Sequence, residues 1–137
     1  MTETKKASFT LKKFAVPNFS YNESKENPEL NLSFDVSGEY QKADGIFNLI
    51  LDFKGNNGDN NQNVISAKVV GIFKFSEVID LKEIPEYFYT NAIAIIFPYL
   101  RSFVSTLTLQ ANTGVIILET LNLTGLKNVL KEKTKTI

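Results

Sequence analysis

The sequence predicts an α+β domain in which a sheet of four strands precedes two helices. Three features carry that prediction. Apolar and polar residues alternate along four successive segments ending at Phe75, turn-forming residues separate those segments, and beyond Pro85 the apolar residues recur at helical spacing. With 137 residues the chain is long enough for one core and too short for two ordinary domains. Residues 1–137 therefore read as a single domain.

The first strand, Phe9 to Val16, changes parity: Phe9 and Leu11 share one face, whereas Phe14 and Val16 take the other. Such a slip implies a bulge or a strand used on both faces, and Pro17 excludes a central-strand position beyond it. From Leu30 the alternation is regular, with Leu32, Phe34 and Val36 on one face and Ser33, Asp35 and Ser37 on the other. One side of this strand is wet and one buried. Ala43-Asp44-Gly45 forms a turn in which Gly45 supplies positive φ. Phe47, Leu49, Leu51 and Phe53 make the next row, and Gly55 to Asn61 is a loop by composition. The fourth strand runs from about Val64 to Phe75.

Helical spacing then takes over, through Ile96, Tyr99, Leu100, Phe103, Val104 and Leu107. Pro98 sits in the first turn of a helix or kinks a longer one. Asn112-Thr113-Gly114 is a break, and a second helix begins at Thr124, whose hydroxyl caps it, and carries Leu126, Val129 and Leu130. The lysines that follow read as a solubilising end.

Composition excludes much chemistry. The chain has no His, Cys or Trp. A neutral-pH general base, thiol chemistry, disulfides and most transition-metal ligands are therefore unavailable. Asp80, Glu83 and Glu86 cluster, but a solvated turn accounts for them. Gly55 and Gly58 lack the residues of a phosphate loop, and Asp59 is the one carboxylate inside the Asn-rich loop, too few for calcium. Fifteen basic residues balance fifteen acidic ones, and the aromatics are not interleaved with lysines, which argues against nucleic acid. The N-terminus is polar, with no apolar leader segment. No apolar run approaches the roughly 18–20 residues that span a bilayer, since Ala92 to Pro98 is interrupted by Pro98 and Arg101. The expectation is a cytoplasmic binding protein, not an enzyme, with no cofactor, no metal and no membrane insertion.

Eleven Phe and five Tyr exceed what a small sheet and two helices need. Rows left without intrachain cover would meet other subunits, an apolar ligand or a peptide. Two further readings belong here: a small-ligand domain whose helices cover a cavity lined by residues such as Phe47 and Phe103, and a structural subunit whose apolar rows are consumed by one fixed partner.

Asn91 to Thr108, and above all Ile96-Phe97-Pro98-Tyr99-Leu100-Arg101, resembles the signature helix of the SecB family of protein-export chaperones. The opening Phe9-x-Leu11-x-Lys13, the Gly71-Ile72-Phe73 of the fourth strand, and Leu121-Asn122-Leu123 before the last helix agree with it. The likeness covers roughly residues 8–131. It implies a four-stranded antiparallel sheet with two helices, and a holdase that binds unfolded or nascent client polypeptides in apolar grooves, for export. Phe34, Phe47, Phe53, Phe73 and Phe75 become groove or core candidates. The family pairs first strands edge to edge and joins dimers through the signature helix. That implies a dimer of dimers, with Phe9, Leu11, Phe14, Val16, Ile96, Tyr99, Phe103 and Leu107 as interface candidates.

Two departures qualify the likeness. Where export members present acidic groups to the translocation motor ATPase, the counterparts here are the neutral Asn18, Asn22 and Ser66. The family's zinc-binding Cys and His tail has no match in Lys133-Thr134-Lys135-Thr136-Ile137. Client holding survives such changes better than delivery does. A SecB-like domain serving another partner, such as an antitoxin, is the alternative.

Overall fold

The computed structural model describes residues 8–24, 29–119 and 122–137; Leu121 and the first seven residues, read above, lie outside them. Its strands are β1 (Phe9–Tyr21), β2 (Leu30–Gln41), β3 (Ile46–Asn57), β4 (Asn63–Phe75) and β5 (Thr134–Thr136). They form one sheet in the order β1-β4-β3-β2-β5. The first four pair antiparallel and β5 runs parallel to β2. A single 3-10 turn, Leu81–Glu83, leads into the long helix α1 (Glu86–Ala111), and α2 (Thr124–Glu132) follows a loop. The four antiparallel strands and two helices agree with the expected class.

Turn chemistry sets the β2–β3 hairpin. Gly45 takes φ +65°, a conformation that favours glycine, and places Gln41 opposite Ile46. In the Asn-rich turn, the Asn57 side-chain oxygen accepts from the Asp59 N–H at 2.9 Å and that of Asn60 from the Gln62 N–H at 2.9 Å. The side chains there take over backbone pairing, as Asn does in turns.

The parity slip in β1 is resolved as bulges. Register shifts fall between Leu11 and Lys13 and between Ala15 and Asn18. Each inserts one extra residue, so that Leu11, Phe14, Phe19 and Tyr21 all stand opposite residues of the buried β4 row, Phe73, Gly71, Ala67 and Ile65. The strand therefore continues past its expected end at Val16 and contains Pro17, which an outer strand tolerates.

One face of the sheet carries the core. Val36, Leu49, Leu51, Val69 and their neighbours are buried beneath Phe88, Ala92, Ile93, Ile96, Leu100 and Val104 of α1. The Phe88 ring sits 4.8 Å from each of Phe9, Phe47 and Phe75, which joins α1 to β1, β3 and β4 at one point. At Gly71 a Cβ would come within 2.4 Å of the Ile96 Cδ1. Glycine there lets the helix approach the sheet closely.

Helix α1 starts after Pro85 and ends at Asn112, whose φ of 57° is left-handed. Pro98 lies in its interior rather than in its first turn. The helix is long and apolar enough to cross a membrane, with a mean hydropathy of 1.5 over an 18-residue window. The sequence reading discounted that run because of Pro98 and Arg101. Its buried side chains lie in the domain core, yet only 39% of the window is buried.

The end of the chain differs from expectation twice. Thr124 does not cap α2 with its own hydroxyl: the Asn122 side-chain oxygen accepts from both the Thr124 N–H (3.2 Å) and its hydroxyl (2.6 Å). The lysine-rich end forms β5. The Thr134 hydroxyl donates to the Leu130 carbonyl at 2.6 Å, Lys133 pairs with Asp35 at 2.7 Å, and Thr134 stands opposite Gly38. Three residues, Thr134-Lys135-Thr136, carry too little periodicity to be read as a strand.

A Cβ at Gly38 would lie 2.5 Å from the Phe47 Cζ and 2.7 Å from the Thr134 Oγ1. Gly38→Ala is expected to lower stability by about 1–3 kcal/mol through overpacking. Ser33→Ala, at an exposed position of the same strand, should change it by less than about 0.5 kcal/mol. Urea unfolding monitored by circular dichroism measures both, and equal midpoints for the two variants would contradict the packing described.

Candidate binding surface

Several titratable groups have structural partners. Glu83 accepts from the Asp80 N–H at 3.1 Å in a capping box, and Asp80 pairs with Lys42. That hydrogen bond to Lys42 lowers the Asp80 pKa and raises that of Lys42. Glu86 pairs with Lys131 and, at 3.8 Å, with Lys127. These contacts fasten α2 to the start of α1, and the Lys131 hydrogen bond lowers the Glu86 pKa. Burial raises the pKa of Tyr40 and Tyr89, and the Tyr40 hydroxyl donates to the Ile79 carbonyl at 2.6 Å. Among the described residues no group of three or more His, Cys, Asp or Glu is placed to hold a metal.

What the surface offers is apolar area. Tyr87, Ile95, Tyr99 and Leu109 of α1 are exposed and fall within about a third of the helix circumference at 3.6 residues per turn. Strand β1 continues this stripe. Phe14 stacks on Tyr99 at 4.8 Å, and Phe19, 54% exposed, meets Phe103 edge-on at 5.2 Å. The far side of β1 is the outer edge of the sheet. Among the described residues no strand pairs with that edge, whose backbone groups can take a further strand.

Beside α1 lies a cleft of about 380 Å³ lined by Thr90, Ala94, Phe97, Pro98, Arg101 and Asn122 to Thr124. The proline has a chemical consequence. It lacks an N–H, so the Ala94 carbonyl loses its usual partner four residues on. Phe97 links the cleft to the sheet through Phe34, with ring centroids 6.0 Å apart. A second cleft of about 330 Å³ includes Tyr21, Leu30, Val64, Thr113, Val115 and Ile116. The loop over it is fastened: the Ile116 N–H donates to the Thr108 hydroxyl at 2.9 Å, and the Ser105 hydroxyl to the Ile116 carbonyl at 3.1 Å. Ile117, 67% exposed, and Val115 project from that anchored loop.

The residues singled out in the sequence are distributed as follows. Phe47, Phe53, Phe73 and Phe75 are buried in the core, and Phe34 is half-buried between Phe53 and Phe97. Phe9, Leu11, Phe14 and Val16 are half-buried along β1. Tyr99 is exposed, whereas Phe103 and Leu107 are half-buried. Ile96 departs from that set: it is wholly enclosed over Gly71 and has no surface for a subunit contact. Asn18 and Asn22 are exposed, and Ser66 shares a 2.7 Å hydrogen bond with Ser20. Lys68 stands opposite Asn18, and Lys54 opposite Ser66. The clefts described are lined by neither Phe47 nor Phe103.

Sequence reasoning missed Phe19, Tyr87, Ile95, Leu109, Ile117 and the cleft itself. The spacing of Tyr87, Ile95 and Tyr99 beside the Phe88, Ala92, Ile96 row was a usable signal for the helix stripe. No local pattern signals the cleft, which depends on Asn122 and Leu123 returning to α1.

The family model for the preprotein translocase subunit SecB matches residues 4–133. An uncharacterized protein of Methanocaldococcus jannaschii is 30% identical over 115 residues, which cover 80% of this chain and 73% of that one. Among solved structures, the Mycobacterium tuberculosis SecB-like chaperone Rv1957, in complex with a ChAD peptide from the HigA1 antitoxin, superposes with a TM-score of 0.66 at 15% identity. That match covers 83% of this chain and 88% of the other. A protein of unknown function from Streptococcus agalactiae superposes with a TM-score of 0.51 at 11% identity, over 83% and 98% of the two chains.

The lowered pKa of Glu86 fixes a pH dependence. A carboxylate whose folded pKa lies below its unfolded value, about 4.3 for Glu, contributes stability above that value and loses it as pH falls through the folded pKa. The melting temperature should therefore drop below about pH 4.3, and less steeply in Glu86→Gln. Superimposable acid limbs for the two proteins would show that the pair contributes nothing.

Proposed function

The chain belongs to the SecB family, and from that premise we propose that it is a non-catalytic, cytoplasmic chaperone that holds apolar polypeptide segments, with the segment of one dedicated partner as its main client. The observation that carries this reading is the apolar surface of α1. Less than half of its most apolar window is buried within the chain, and the remainder runs into β1 on one side and into the Phe97 cleft on the other. Neighbouring exposed apolar side chains of this kind mark a place where another molecule is met. The cleft combines the apolar walls of Ala94, Phe97, Pro98 and Leu123 with the polar side chains of Thr90, Arg101 and Asn122, which suits an extended peptide better than a small apolar ligand.

A dedicated partner is favoured over general export by two considerations. The counterparts of the acidic docking groups are neutral, and two of them stand opposite Lys68 and Lys54, a charge pattern unsuited to a partner that recognises carboxylates. The fold is also that of a SecB-like chaperone solved with an antitoxin peptide. An antitoxin-like segment is the corresponding client here. Export clients handed to the translocation motor form the second reading, supported by the family description.

Assembly divides the surface. The open edge of β1 and the exposed stripe of α1 serve subunit contacts in a dimer of dimers, while the cleft beside α2 stays open to the client. Light scattering on the full chain should then give a mass above that of one 15.4 kDa subunit. Tyr99→Glu, at a position 46% exposed, should lower that mass while leaving the circular dichroism spectrum intact. A monomeric wild type would remove this part of the proposal.

Holding is tested separately. The purified chain should suppress aggregation of a denatured test protein at near-stoichiometric ratio. Capture of native partners from cells of the source then distinguishes one dominant partner from a broad set of export precursors. Neither protection nor any retained polypeptide would sink the chaperone reading.

A further inference from the structure

Arg101 has no role in the architecture described. It is the one charged residue of α1 after Glu86 at the first position. It is half-buried and lines the cleft with Phe97, Pro98, Ala94 and Leu123. Among the described residues it makes no ion pair, hydrogen bond or ring contact, although every other strongly placed cation beside α1 and α2, Lys127, Lys131 and Lys133, has a carboxylate. A guanidinium beside apolar walls, given no anion by the described residues of its own chain, is free to pair with an occupant that supplies one.

We propose that the cleft between α1 and the Asn122–Thr124 segment recognises a polypeptide segment in which a bulky apolar side chain is followed closely by a carboxylate, with Arg101 as the carboxylate's partner. This rests on the polypeptide-holding function proposed above and specifies what its client must contain. The floor is Phe97, 7% exposed, with Ala94, Pro98 and Leu123 as walls, which fits an aliphatic or aromatic side chain. The guanidinium presents a fork of donors that matches a carboxylate in bidentate geometry. The remaining polar groups suit main chain. The Ala94 carbonyl, freed by Pro98, accepts a peptide N–H. Asn122 spends its side-chain oxygen on Thr124 and keeps its amide N–H groups as donors toward a peptide carbonyl.

The carboxylate has two sources in a polypeptide, an acidic side chain or a chain terminus, and the test separates them. Three short fluorescein-labelled peptides share one Leu- and Phe-containing sequence. The first carries an internal Glu and an amidated end, the second Gln at that position and an amidated end, and the third Gln with a free terminal carboxylate. Fluorescence anisotropy with the full chain should show the Glu peptide, the free-terminus peptide or both binding roughly tenfold more tightly than the amidated Gln peptide. The preference should shrink as salt is raised. It should collapse in Arg101→Gln and persist in part in Arg101→Lys. Equal affinity of all three peptides for the wild type would overturn the inference while leaving polypeptide holding intact; binding of none would overturn both. The wild-type comparison decides the matter even if Arg101→Gln fails to fold. An Arg101→Gln protein that loses subunit mass but keeps the peptide preference would assign Arg101 to assembly and also overturn it.

Discussion

The structure depends on one helix lying against one face of a sheet, and Phe88 is the point where that contact is made. Its ring touches β1, β3 and β4 side chains at once, at centroid distances of 4.8 to 5.6 Å. Aromatic pairs of this kind contribute roughly 0.5–1.5 kcal/mol each beyond the area they bury. The contact needs the helix to be close, and Gly71 beneath Ile96 permits that closeness two turns further along. Together the two points hold α1 at its N-terminal and middle turns. The interior Pro98 then follows, on the side turned away from the sheet.

The binding surfaces follow from a mismatch of widths. Five strands at about 4.8 Å spacing span roughly 19 Å, whereas a helix with its side chains is about 10–12 Å across. A single helix over the middle of such a sheet leaves a strip uncovered on each side. On the β1 side the strip is filled from below by Phe14 and Phe19 rising to Tyr99 and Phe103. On the β2 side Phe34 stays half-buried, and the returning segment before α2 stops short of closing the gap. The surplus of phenylalanine is therefore divided between a full core and two incomplete margins, and the margins are where other molecules can be met.

How much of this was legible depended on the range over which each signal acts. Strand identities rest on alternation within a few residues, and Leu32 to Val36 or Phe47 to Phe53 carried it fully. The slip in β1 was visible, but choosing between a bulge and a two-faced strand required its partner, since only the opposition of Phe14 to Gly71 restores the parity. The separation of core from surface aromatics failed for the same reason: Phe34 and Phe53 alternate alike, and only the helix overhead distinguishes them. Strand β5 and the Asn122 cap involve three residues or fewer, below the length at which periodicity means anything. The cleft was invisible because its walls come from positions some twenty to thirty residues apart.

The pairing of β1 with β4 has a consequence for the life of the molecule before it is folded. Phe9 stands opposite Phe75, so the first strand emerges from the ribosome long before its partner has been made. Throughout that interval the segment with Phe9, Leu11, Phe14 and Phe19 has no sheet to join. It presents an extended row of aromatic and aliphatic side chains, the same kind of segment that this fold is proposed to hold. The row stays uncovered until β4 has been made, so the last antiparallel strand to be synthesised completes the cover of the first.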